Sequence, residues 1–264
     1  MKFTICLLVI LVSVIGCVTT PESGRKVFLL TSESEEARLG ESAYREALSK
    51  SRRARDPKWN AILQRVGNRI AEAARKPDFR WEFALIESPE KNAWCLPGGK
   101  VAFYTGMLSV FENEAQMAAV MGHEVAHATA RHAGSRMTIA LGTELGLAAA
   151  SALMGGSEGD KKKQLLLAAL GLGANVGVAL PFSRSHETEA DEIGLIYMAR
   201  AGYDPKEARK FWARFSNVSG GSGVPTFLST HPASRDREEN LGRKIPSVLS
   251  EYERSAGYGV GEIF

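Results

Sequence analysis

His123-Glu124-Val125-Ala126-His127 constrains this chain more than any other stretch of it. It lies inside Asn113–His132, which reads as one helix with Asn113 as N-cap and Gln116 at the third helical position, as in a capping box. Residues four apart share a helix face. His123 and His127 can therefore offer two imidazole nitrogens to one metal ion. Glu124 sits roughly 100° further round the helix, where its carboxylate can reach a water beside that metal. Two neutral nitrogens suit a borderline-soft cation such as Zn²⁺, and a carboxylate suits the activation of water. Residue frequencies in a chain with 5 histidines put a chance occurrence at about 0.01 per chain. The motif alone thus leaves open a helix whose histidines are ordinary surface or core residues.

A catalytic zinc takes three protein ligands, so this helix is one short. A continuation of the motif along the same helix would need glycine at 130 and histidine at 133, where the chain has Ala130 and Ala133. His132 falls about 140° round the helix from His127 and is poorly placed. What remains is an acidic residue on another helix. Ser183–Asp191 opens one that runs to about Ala201. Glu187 and Asp191 lie four apart on its face. Glu187 can ligate the metal, and Asp191 can accept the N–H of a ligand histidine. Glu189 points elsewhere. An acidic pair at this spacing is by itself usually a solvated face, and it gains weight only beside the two-histidine motif.

The bulk properties narrow the class. A length of 264 residues allows one large domain or two small ones, and 44% hydrophobic with 24% charged residues is ordinary globular composition. The net charge of +3 falls to +2 once residues 1–16, which carry only Lys2, are set aside. That is too near neutral to argue for nucleic acid or an acidic substrate, and no nucleic-acid partner is expected. Cys6, Cys17 and Cys95 make neither a disulfide framework nor a zinc–thiolate cluster. Lys2 is followed by an uncharged apolar run, Phe3 to Ile15, of signal-peptide length. It ends Val14-Ile15-Gly16-Cys17, which resembles the lipobox of bacterial lipoproteins, in which the cysteine is diacylated and becomes the new N-terminus. The expected division is a signal peptide at 1–16, a lipidated N-terminus and tether at 17–34, and the folded domain at 35–264. Val18, where an inner-membrane lipoprotein would carry aspartate, points to the outer membrane, facing the periplasm. Lipid on Cys17 leaves Cys95 a lone thiol.

Further along, Glu35–Ser49 reads as a helix, and Asp56-Pro57 starts a second whose apolar face is Trp59, Ile62, Leu63, Val66 and Ile70. Phe79–Ile86 alternates as a half-buried strand, with Phe83 and Leu85 inward and Ala84 outward. Asn92–Gly106 reads as strand, Pro-Gly-Gly turn, strand. An edge strand beside the motif helix suits main-chain pairing with an extended substrate, so Asn92, Ala93, Gly98 and Gly99 are candidate substrate-binding residues, with a plain structural hairpin as the alternative. Met137–Met154 and Gln164–Phe182 are apolar and flank a charged loop. They read as two buried helices, a membrane hairpin being the alternative. Asp204-Pro205 starts another helix, with Phe211, Trp212 and Phe215 inward. Ser219–Gly223 is a flexible loop, and a charged final helix contains Arg235 and Arg237.

Four segments together resemble the gluzincin metallopeptidases that include the CAAX prenyl proteases, the HtpX membrane proteases and the lipoprotein protease LoiP. They are Asn92–Gly106, His123–His127, Ser183–Asp191, and Ser-Thr-His-Pro at 229–232 with Arg237 downstream. The resemblance spans nearly all of residues 30–245. It lacks the long flanking membrane helices of the first two groups and the C-terminal helical repeats of some periplasmic relatives, and so is most like the compact LoiP type. It implies a metallopeptidase whose ligands match His123, His127 and Glu187. Its general base matches Glu124, its carboxylate behind a ligand histidine matches Asp191, and a further histidine near the metal matches His231. The expected fold is α+β, mostly helical, with a small β-sheet beside the zinc-binding helix. The expected chemistry is hydrolysis of peptide bonds in misfolded or misassembled envelope proteins, with one Zn²⁺ per chain. Its partners are protein or peptide substrates and a membrane reached through the lipid on Cys17. The rival from another class is a lipid-anchored chaperone or assembly factor with a structural zinc.

Overall fold

The computed structural model describes residues 16–152, 182–216, 225–232 and 236–264, with backbone alone over 144–152. Residues 1–15 of the expected signal segment, the charged loop and nearly all of the second apolar stretch lie outside the described residues, as do Ser219–Gly223 and Arg235. Among the described residues the chain runs β1 (Cys17–Thr19), β2 (Lys26–Phe28), α1 (Glu33–Ser49), α2 (Pro57–Ala73), β3 (Glu82–Ile86), β4 (Ala93–Leu96), β5 (Lys100–Tyr104), α3 (Thr105–Leu108), α4 (Glu114–Thr129), α5 (His132–Ala152), α6 (Arg184–Arg200), α7 (Lys206–Phe215), α8 (Thr226–Thr230) and α9 (Arg237–Glu253). This is the expected α+β, mostly helical architecture.

Local chemistry sets the helix starts. Ser32 and Glu35 form a reciprocal capping box that opens α1 two residues earlier than the apolar pattern suggested. Asp56 accepts from the Trp59 N–H, with Pro57 in the first turn of α2. The sheet has the order β3-β5-β4, with β3 parallel and β4 antiparallel to the central β5. The β4–β5 turn places Gly98 and Gly99 at φ of 83° and 86°, where a side chain would be strained.

The sheet is buried on both faces, which corrects the half-buried reading of Phe79–Ile86. Phe83, Leu85, Val101 and Phe103 join the core built with α2 and α4. Ala84, Ile86, Trp94, Leu96 and Ala102 face a second core with Ala43 and Tyr44 of α1 and Met137 of α5. Alternation along a strand reports polarity, and the second face is small and apolar because α1 covers it.

Every residue of α4 is buried. It is enclosed by α6, α2, α7 and β4, which is why its apolar residues run all round rather than along one stripe. α4 also stops at Thr129, short of the single helix expected to His132. Arg131 takes a left-handed φ of 56°. Its guanidinium donates to both oxygens of buried Glu36, at 2.6 and 3.1 Å, and to the Thr31 carbonyl at 2.8 Å. That buried ion pair holds the corner, and α5 starts afresh at His132. At the other end of α4, Asn113 caps the Gln116 N–H at 3.0 Å. The Gln116 side chain does not return the bond as a capping box would. It accepts from the Glu112 N–H and donates to Glu207. The remaining orphan donors are met by the C-terminal segment: Glu114 N–H donates to the Glu262 carbonyl at 2.9 Å and Ala115 N–H to the Val260 carbonyl at 3.0 Å.

Residues 17–34, expected to be a lipidated N-terminus and tether, hold the β1–β2 hairpin, in which Cys17 pairs with Phe28. Its Thr20 is buried, and its Arg25 reaches α6. No helix among the described residues is long and apolar enough to cross a membrane.

Candidate metal centre

α4 and α6 meet where both are bare. A Cβ on Gly122 would lie 2.9 Å from the Gly194 carbonyl oxygen, and one on Gly194 would lie 3.0 Å from the His123 nitrogen. This close crossing brings the first half of α6 against the motif face of α4. Ser183 caps α6 by accepting from the His186 N–H, which puts Glu187 in the first turn and Asp191 one turn later. His231 follows α8 as its C-cap.

The sequence-predicted residues converge here. One donor atom each from His123, His127, Glu187 and His231 lie within 4.8 Å of one another, and all four side chains are buried. The Nε2 atoms of His123 and His127 are 3.1 Å apart. They lie 3.3 Å from Glu187 Oε2 and 3.3 Å from Glu187 Oε1, respectively. His231 Nδ1 is 3.1 Å from Glu187 Oε1. Glu187 Oε2 is buried without a hydrogen bond. Three imidazoles, a carboxylate and an unmatched buried acceptor are the donor chemistry of a borderline-soft divalent cation, so the residues fit a metal ion.

Electrostatics follow from burial and close opposite charge. Burial alone would push the Glu187 carboxyl up, but His231, His123 and His127 outweigh it and hold it well below the ordinary range. Burial alone would lower His123, but Glu187 and Asp191 raise it to about 9 in the metal-free protein. His127 falls well below its usual value, because burial outweighs the pull of Glu187. Burial raises the Glu124 carboxyl, against the pull of His231 and His123. Glu124 receives a backbone hydrogen bond from Cys95 of β4, and its Oε1 lies 3.5 Å from His231 Nε2.

Asp191 sits where the sequence placed it, its Oδ1 at 2.9 Å from His123 Nδ1. It also receives Arg237 Nη2 at 2.5 Å, and the Arg237 guanidinium lies 3.5 Å from the Trp212 ring. Spacing gives Arg237 no role; only the fold brings it to Asp191.

The surroundings of His127 were missed. His132 stands outside the four-donor group, but its Nδ1 lies 2.8 Å from His127 Nδ1. Glu189 does point away from that group, toward His132 Nε2 at 3.0 Å. Burial would raise Glu189, but His132, Ser23 and Arg25 hold its carboxyl at about 2. The available signal was His132 just after the motif and Glu189 between Glu187 and Asp191, two polar residues that the ligand set left without a role. The helix break at Arg131, which swings His132 back over His127, could not be read from spacing.

The Tyr104 N–H donates to the Asn92 carbonyl at 3.0 Å, so by alternation Ala93 and Cys95 turn their backbone groups to the outer edge of β4. Asn92 Oδ1 accepts from the Ala93 N–H. Gly98 and Gly99 sit in the turn, packed near Ala37 and Trp81, and their carbonyls accept from the Arg80 and Glu82 N–H groups. Cys17 is exposed on β1.

Comparison with known proteins gives a consistent picture. A family model described as peptidase family M48 matches residues 57–245. The chain is 36% identical over 244 residues to the mitochondrial metalloendopeptidase OMA1 of Schizosaccharomyces pombe, which covers 90% of this chain and 69% of that protein. It is 31% identical to the OMA1 of Saccharomyces cerevisiae, over 92% of this chain and 73% of that one. It is 28% identical to the beta-barrel assembly-enhancing protease of Escherichia coli, over 83% of this chain but 46% of that protein.

Proposed function

The chain belongs to peptidase family M48 and is a metalloendopeptidase, and on that premise we propose that it is a zinc enzyme of the bacterial cell envelope. In this reading it is of the compact LoiP-like type, lipid-anchored through Cys17 at the outer membrane, and it cleaves misfolded or misassembled envelope proteins. The lipobox-like Val14–Cys17 and the exposure of Cys17 support the location. So does similarity to an Escherichia coli protease whose name refers to β-barrel assembly.

The buried four-donor group with Glu124 beside it carries the chemical reading. His123, His127 and Glu187 would hold the Zn²⁺. When bound, it supplies Lewis-acid chemistry, lowering the pKa of a water toward neutrality and drawing charge from a carbonyl oxygen. Glu124, made more basic by burial, takes the proton of the attacking water and passes it to the leaving amine. Asp191, held by Arg237, fixes His123 with its proton on Nδ1 and its lone pair on Nε2. His231, between Glu124 and Glu187, stabilises the developing oxyanion or closes the metal site at rest. The outer edge of β4 at Ala93 pairs with an extended substrate, while Asn92, whose carbonyl accepts from the Tyr104 N–H, shapes the start of that edge.

One observation favours the rival reading. His231 makes a fourth protein donor, and four protein ligands are typical of a structural zinc, as in a lipid-anchored chaperone or assembly factor. Glu124→Gln separates the two. Purified wild type is expected to cleave casein and to lose this on chelation. The variant is expected to keep one zinc per chain and lose about 10²–10⁴-fold in rate. A variant that cleaves as fast as wild type would refute the role of Glu124, and a wild type that binds zinc but never cleaves would support the chaperone.

A further inference from the structure

Resting on that reading of the metal centre, we infer that Glu189 and His132 position His127 for its metal, and that the N-terminal hairpin β1–β2 holds this pair in place.

The two ligand histidines of α4 need the same thing. Each must keep its Nε2 lone pair for the ion and carry its proton on Nδ1. For His123, Asp191 accepts that proton directly. For His127, the hydrogen bond from Nδ1 goes to another imidazole, His132, at 2.8 Å. An imidazole accepts at one nitrogen only if it donates at the other. His132 donates from Nε2 to Glu189 Oε2 at 3.0 Å. Glu189 in turn is ringed by donors: Arg25 Nε at 2.7 Å on Oε2, Ser23 Oγ at 2.5 Å and Thr20 Oγ1 at 3.4 Å on Oε1. With donors on both its oxygens it can only accept. Every proton in the chain Glu189–His132–His127 therefore has one place, and the His127 Nε2 lone pair faces the other metal donors.

Packing fixes the plane of each ring as well as its protonation. His186 stacks on His132 with centroids 4.2 Å apart and planes 14° apart, and Phe182 lies 3.9 Å from the His127 ring. The His132 side chain is fully buried. The hairpin grips the same corner twice. Besides holding Glu189, Arg25 donates from Nη2 to the Ala130 carbonyl at 3.1 Å, capping the end of α4 one turn beyond His127. Hydrogen-bond partners of metal ligands are commonly worth about 10–100-fold in metal affinity, and here that contribution comes from a hairpin whose first residue is Cys17.

The test uses the full chain, stripped of metal, titrated with Zn²⁺ against a chromophoric chelator. His132→Phe and Glu189→Ala are expected to bind Zn²⁺ about 10–100-fold more weakly than wild type, and Arg25→Ala a few-fold more weakly. Glu189→Asp is expected to recover part of the loss. Glu192→Gln, whose side chain pairs with Lys244 at the surface of the same helix, is expected to match wild type. Long-range ¹H–¹⁵N spectra of the metal-free protein give a second readout. His127 is expected as the Nδ1–H tautomer in wild type and as a mixture in His132→Phe. Wild-type Zn²⁺ affinity and tautomer in folded His132→Phe and Glu189→Ala, even with a lowered melting temperature, would reduce these residues to ordinary packing and overturn the inference. If wild type bound no Zn²⁺, the metal reading would fail, while the tautomer measurement would still decide whether His132 sets His127.

Discussion

Single side chains do two kinds of work in this protein: some face the metal donors, and others hold the helix that carries them. Glu207 belongs to the second kind. It is buried, and its Oε2 accepts from Asn113 Nδ2 at 3.0 Å and Gln116 Nε2 at 2.9 Å, while Lys210 donates to Oε1 at 2.6 Å. It thereby ties α7 to the capping residues of α4. Burial would raise its pKa, but these three donors hold it below the usual carboxylate value. A depressed folded-state pKa contributes stability above the unfolded value of about 4.3 and loses it as pH falls through the folded value. Glu207→Gln is therefore expected to be less stable than wild type at pH 7, by about 1–3 kcal/mol. That gap should close on acidification below about pH 4. Urea unfolding of both proteins at pH 7 and pH 3 checks this; a gap that widens in acid would be the wrong sign. Asn113 as an N-cap could be read from the chain, but its partner Glu207 could not, because nothing local links residues so far apart in sequence.

Among the helices, the crossing of α4 and α6 matters most, since it fixes the distance between the two histidines on one and the two carboxylates on the other. Gly122 and Gly194 let the backbones touch. Gly122→Ala would drive a methyl into the Gly194 carbonyl and force the helices apart, at a cost of about 1–3 kcal/mol. Zinc affinity is expected to fall with it, because Glu187 and Asp191 move with α6. Gly142→Ala is the contrasting control. It meets nothing within 4 Å in the middle of α5 and should stabilise by about 0.5–1 kcal/mol. Calorimetry and chelator competition on the pair decide the matter, and equal behaviour of the two variants would remove the crossing from the account. The glycines were visible in the sequence, but in an all-buried helix a glycine has no periodic pattern to stand out from. The end of α4 was hidden too, because no proline or glycine marks the Arg131 corner between α4 and α5.

At the scale of the whole molecule, the metal centre is clamped by both ends of the described chain. The β1–β2 hairpin reaches Glu189 and the end of α4. The C-terminal segment lies against the start of α4, where Phe264 N–H also donates to the Glu112 carbonyl at 2.9 Å. Glu262 pairs with Arg65 and Lys58, and Phe264 packs edge-on to Trp59. Deleting Val260–Phe264 removes the three backbone bonds to Glu112, Glu114 and Ala115, a loss of about 3 kcal/mol. That corresponds to a fall of about 6–12 °C in melting temperature. A thermal scan of the truncated chain tests it, and an unchanged Tm would mean that water replaces the segment without loss.

The chain itself determined the motif helix, the helix carrying Glu187 and Asp191, the hairpin before the motif and the donors those two helices offer to a metal, because each depends on spacing within one element. A helix brings i and i+4 together wherever it sits, and a Pro-Gly-Gly turn folds a hairpin whatever packs on it. The tertiary structure alone decided how those elements meet. Only there does Arg131 break against Glu36, His132 fold back onto His127, and Arg237 close over Asp191. Only there do the two ends of the described chain cap the two ends of α4. Apart from His132 and His127, five positions apart across the Arg131 corner, these contacts join residues tens to more than a hundred positions apart, and buried ion pairs and hydrogen bonds of that kind depend on three-dimensional neighbours that no local pattern records.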